Sequence, residues 1–103
     1  MNKKLALIIT KSEYAGKIIS IIEAAAKKGV EVSVFIMDEG VRVTLNEKFV
    51  SFAKQNNLKI SLCEHSCNIN KVSLRVEGFN YGSQFSNAKI ISGLEEGDKI
   101  LVF

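Results

Sequence analysis

Three apolar runs of strand length, "LALIIT" (5–10), "VSVFIM" (32–37) and "KILVF" (99–103), stand far apart in the chain, with segments of helical spacing between them. Runs without polar alternation belong to strands buried on both faces, as in a parallel sheet covered by helices. A fourth segment, "LKISLC" (58–63), alternates and reads as a further strand. A weaker strand, "RVEGF" (75–79), carries an interior glycine, Gly78, which argues against a long ladder there.

The intervening segments predict four helices. Over 13–28, Ile18, Ile19, Ile22, Ala25 and Ala26 share a stripe, Ser12 suits the cap and Gly29 suits the left-handed stop. Over 45–56, "TLNE" has capping-box spacing, and Leu45, Phe49, Phe52 and Ala53 face inward. A short helix over 67–73 takes Ser66 as its cap, with Ile69 and Val72 inward. The last, 84–96, is capped by Ser83, places Phe85, Ala88, Ile91 and Leu94 inward and stops at Gly97. Alternating strands and helices predict one α/β domain over 1–103, a three-layer α/β/α sandwich with a mainly parallel sheet of four to five strands. The closing run ends at Phe103 and is expected to pair within the sheet.

The net charge of +3 is scattered, without a clustered basic face, so no nucleic-acid partner is expected. No apolar stretch approaches the ~20 residues that span a bilayer. The N-terminal "MNKKLALIIT" holds an apolar run of only about six residues with no small-residue cleavage site after it, so it reads as a first strand rather than a leader. The expected location is the cytoplasm. There the two cysteines, Cys63 and Cys67, read as thiols or ligands sooner than as a structural disulfide.

Ligands of open parallel sheets bind beyond the C-terminal strand ends. Four segments fall there: "KSEYAG" (11–16), "DEGVRV" (38–43), "CEHSC" (63–67) and "NYGSQ" (80–84). None has the glycine spacing of a nucleotide cradle, and no cofactor is expected. "CEHSC" holds both cysteines and the one histidine, His65. Cys63 ends a strand on this rim, where its sulfur is expected to be accessible to solvent, and the positive end of the following helix favours its thiolate; the plainer reading of Cys63 is a small buried hydrophobe. A protonated His65 adds to the effect of the helix. Cys67 is either a second reactive thiol or a small buried hydrophobe. Cys63, His65 and Cys67 supply three soft metal ligands, but a closed structural zinc site needs four. A transient Cys63–Cys67 disulfide stays open, whereas a Cys–His dyad lacks an orienting acid. Phe79, Tyr81 and Phe85 read as interface or core aromatics.

Three pieces resemble the DsrE/DsrF/DsrH (TusD/TusC) superfamily of small sulfur-relay proteins. "VSVFIMDEGVRV" resembles its second strand and aspartate–glycine–valine loop. "LCEHSCNINKV" resembles its cysteine loop, a cysteine with a serine three residues on. "GLEEGDKILVF" resembles its closing helix and strand. The chain departs from the family at Asn70-Lys71-Val72, where arginine–glycine usually precedes the aliphatic residue. The resemblance implies a DsrE-like fold in a homo- or hetero-oligomer. It also implies a sulfurtransferase or sulfur carrier in which Cys63 takes sulfane sulfur from a donor protein and passes it to an acceptor protein. Ser66 falls in the matching serine place, and Cys67 either resolves the persulfide or packs. The alternative is a non-catalytic oligomeric scaffold or binding protein of the same fold. Metal or redox use of Cys63, His65 and Cys67 is a third option.

Overall fold

A computed structural model describes residues 3–103. The chain runs β1 (Lys4–Ile9), α1 (Ala15–Lys27), β2 (Glu31–Ile36), a series of 3-10 turns (Asp38–Leu45), α2 (Glu47–Gln55), β3 (Lys59–Cys63), α3 (Glu64–Ile69), β4 (Asn80–Gly82), α4 (Gln84–Ser92) and β5 (Lys99–Val102). All four strand pairings are parallel, in the order β4-β3-β2-β1-β5. The first four strands step in one direction across the sheet, and the connection through α4 returns to the opposite edge. Crossovers of one hand therefore put α1, α2 and α3 on one face and α4 on the other.

The core lies on the first of these faces. Leu5, Leu7 and Ile9 of β1, Val34 and Ile36 of β2, and Ile60 and Leu62 of β3 alternate onto it. Ile18, Ile22 and Ala25 of α1, Val41 and Val43 of the 3-10 turns, Phe49 and Ala53 of α2, and Cys67 and Val72 pack against them. Among the described residues, three buried apolar ones lie outside this cluster: Ala6, Phe35 and Cys63. They occupy the alternate strand positions and so face α4.

Several local details differ from the sequence reading. Residues 75–79 form no strand; the chain turns at Gly78 (φ +92°) and the fourth strand follows at Asn80–Gly82. The Val76 N–H donates to the Tyr81 hydroxyl at 2.8 Å, so the expected strand is tied down by a side chain instead of a ladder. Asn46, not Thr44, caps α2, accepting from the Phe49 N–H; the Thr44 hydroxyl donates to the Val41 carbonyl. Tyr14 stands at the start of α1 without a side-chain cap, and Ser12 is bonded to Glu39 instead. The third helix starts at Glu64, three residues earlier than expected. The fourth is capped by Ser83 as expected, but ends at Ser92; Asn87 and Ile90 are its half-buried positions, and Leu94, expected on its inner face, is half-buried beyond its end. Phe85, expected inside, is 65% exposed, and Ile91 is exposed too. Gly29 (φ +72°) does end α1 in the left-handed conformation. Phe103 pairs with β1: its N–H donates to the Ile8 carbonyl, and its carbonyl accepts from Thr10. That pairing lies at the sheet edge.

Candidate functional site

The C-terminal ends of β1, β2 and β3 gather the segments 11–16, 38–43 and 63–67 on one rim, as the sequence predicts. Three sets of hydrogen bonds fix them. The Ser12 N–H and hydroxyl donate to the two carboxylate oxygens of Glu39, which joins the first loop to the second and holds the Glu39 carboxyl below its usual range. The Asp38 N–H donates to Ser66 Oγ at 2.9 Å. Asn70 Nδ2 donates to the carbonyls of both Asp38 (3.1 Å) and Ser66 (2.9 Å). Asp38 takes a left-handed φ of 51°, an uncommon conformation that a short polar residue tolerates best. Gly40 is then pressed against β1, where a Cβ would stand 2.5 Å from the Ile9 carbonyl oxygen. Ser66, expected as a cap, is a buried pin between α3 and the loop after β2.

Cys63 is the last residue of β3 and the cap position of α3, and its side chain makes no capping hydrogen bond. The placement on the rim agrees with the sequence reading. The accessibility does not: Cys63 is 5% exposed. In the sheet it is paired with Gly82 of β4, and the pairing of Ile36 with Leu62 puts Met37 level with it on the other side. Gln84, at the start of α4, donates toward Met37 Sδ at 3.9 Å. Met37 follows β2 and Gln84 follows β4, so the contact joins the segments that leave the two neighbours of β3.

Cys67 and His65 go elsewhere. Cys67 is buried in the core on the opposite face, and burial pushes its thiol above the ordinary range. Arg75 pulls less strongly in the other direction, while Cys63 and Glu64 add to the rise. His65 is exposed on α3. Both cysteines are free thiols, and among the described residues no group of three His, Cys, Asp or Glu side chains converges as a metal site. The one ion pair at the cysteine loop joins Glu64 of α3 to Arg75, whose guanidinium also lies 4.8 Å from the centre of the Tyr81 ring. Tyr81 thus holds the segment between α3 and β4.

The sequence reading missed Met37, Gln84, Arg75 and Asn70. The last two lay in segments read as strand and helix, where no partner is visible in one dimension. For Met37 and Gln84 the missing information was strand order: only with β3 between β2 and β4 do they meet.

No protein-family model matches the chain, and neither does any curated protein. Among solved structures, the ychN protein from E. coli is similar over 100% of both chains, with a TM-score of 0.79 at 17% identity. This chain has that fold. The likeness bears out the α/β class with a parallel sheet that the sequence suggested. At this identity it carries the fold and nothing of the activity. Among the described residues no helix is long and apolar enough to cross a membrane.

Proposed function

We propose that this chain is a sulfur carrier of the DsrE-like type, with Cys63 as the carrying thiol. One observation supports this most: the cysteine of the family-like loop lies at the C-terminal end of a central parallel strand, where such sheets place their chemistry. In the proposed cycle the Cys63 thiolate attacks the outer sulfur of a donor persulfide. The donor's S–S bond breaks, its thiolate leaves, and Cys63 becomes a persulfide. An acceptor thiolate then attacks that outer sulfur and restores the Cys63 thiolate. Each step exchanges one S–S bond for another, so no external oxidant enters. Cys67 is suited to packing, because burial keeps it a neutral thiol. His65, exposed two residues from Cys63, is suited to meeting an acidic partner group. The two free thiols agree with a reducing compartment such as the cytoplasm. Apolar side chains exposed on the edge strand β5, Ile100 at 43% and Val102 at 64%, support assembly into an oligomer.

The test is sulfur transfer between two small molecules. Wild type and Cys67→Ser are expected to pass sulfane sulfur from a low-molecular-weight persulfide to a thiol acceptor, and Cys63→Ser is not. Equal transfer by Cys63→Ser overturns the reading. The low exposure of Cys63 favours the second reading, a non-catalytic scaffold of the same fold, in which none of the three proteins transfers sulfur above the uncatalysed rate.

A further inference from the structure

We propose that α4 is a movable cover over Cys63, which opens from the sheet as a unit and strips the thiol of its shield while the rest of the fold stays closed. The proposal deepens the sulfur-carrier reading by supplying a route to the thiol, and it rests on that reading only for its purpose.

Three observations carry it. First, Cys63, Phe35 and Ala6 are buried yet stand apart from the main core. Their positions on β3, β2 and β1 put them on the face opposite α1, α2 and α3, where α4 packs on β2 and β3, so α4 is the element placed to keep water from Cys63. Second, the strap at its N-terminus is slight. Gln84 meets Met37 through an amide–sulfur contact at 3.9 Å, and Gly82, the neighbour of Cys63 in β4, has no side chain to add.

Third, the helix is poorly seated. None of its described residues is fully buried, and Phe85 and Ile91 point to solvent. Asn87, at the middle of its inner face, buries Oδ1 with no hydrogen-bond partner among the described residues. A buried acceptor without a donor raises the energy of the closed state, and opening returns it to water. Elements with little apolar burial open locally without global unfolding. The surroundings of Cys63 on the α3 side are pinned by Ser66 and Asn70, so opening is confined to α4.

The experiment follows alkylation of each cysteine by iodoacetamide, peptide by peptide, with amide hydrogen exchange of α4 measured in parallel. Alkylation reads access alone, so it decides the cover whether or not Cys63 ever carries sulfur. In the wild type, Cys63 is expected to react much faster than Cys67, at a rate that follows α4 exchange. Asn87→Leu, which replaces the orphan amide with an apolar group of similar shape, slows both Cys63 alkylation and α4 exchange by roughly tenfold. Gln84→Ala, which removes the strap, speeds Cys63 alkylation and leaves Cys67 unchanged. The proposal is overturned if Cys63 and Cys67 react at the same rate set by global unfolding. It is equally overturned if the variants shift α4 exchange without shifting Cys63. The wild-type comparison stands even where a variant folds poorly.

Discussion

The two sides of Cys63 are built to different standards. On the α3 side, Ser66, Asn70, Asp38 and Gly40 interlock through hydrogen bonds and one close backbone approach. On the α4 side, a half-buried helix carries an amide oxygen without a partner, and the one side-chain hydrogen bond from it to the rim among the described residues is the weak contact of Gln84 with Met37. The contrast shows how one sheet can hold a thiol in fixed position and still leave a way to reach it. Precision comes from the side that packs on the main core, and access from the side that does not.

Substitutions at one residue type on the two sides break the comparison most sharply. Phe49→Ala, in the main core, is expected to cost about 3–5 kcal/mol in urea unfolding, whereas Phe85→Ala on α4 costs less than about 0.5 kcal/mol. Similar losses at both positions would mean that α4 is seated as firmly as α2.

Gly40→Ala comes next. The new methyl would meet backbone atoms of Ile9, at 2.5 Å and 2.8 Å, that cannot swing aside. About 1–3 kcal/mol of destabilisation is expected by thermal or urea unfolding. Gly16, with nothing within 4 Å of an added Cβ, serves as the control and is expected to lose nothing on the same change.

How much of this was legible in sequence depends on what each residue answers to. Strands β1 and β2 were readable because burial forces an unbroken apolar run, and β3 because it alternates where one face is lighter; β5 carries the same kind of run, yet as an edge strand it leaves all four of its residues exposed. The helix ending at Gly29 was readable because its stop is a local backbone requirement. Ser83 was readable for the same reason, as a cap acts within one turn. Ser66 and Ser12 were misread as caps because their partners, Asp38 and Glu39, lie 28 and 27 residues away. Phe85 was misread as core because helical spacing gives a stripe but not the direction in which the stripe is turned. Cys63 was placed correctly on the rim, yet its cover depends on strand order.

Ser66→Ala tests the pin. It leaves the Asp38 N–H without its acceptor, at a cost of about 1–2 kcal/mol by urea unfolding. Amide exchange should quicken at residues 38–40 and stay unchanged in α4. Quickening in α4 instead would show that the two sides are coupled.

The smallest effect is acidic. Hydrogen bonds from Ser12 depress the folded-state pKa of Glu39, so its contribution is complete above the unfolded carboxylate value and is lost as pH falls through the lower folded value. Stability measured from neutrality downward should hold to the ordinary carboxylate range, about pH 4.3, and then decline. Glu39→Gln should flatten part of that decline.

The central claim concerns which sulfur atom receives sulfur. It is tested most directly by intact mass spectrometry after incubation with a low-molecular-weight persulfide, on wild type, Cys63→Ser and Cys67→Ser. The account predicts the gain of one sulfur atom on the wild type and on Cys67→Ser, removable by a reducing thiol, and no gain on Cys63→Ser. A wild type that takes up no sulfur, or a Cys63→Ser protein that still does, would contradict it.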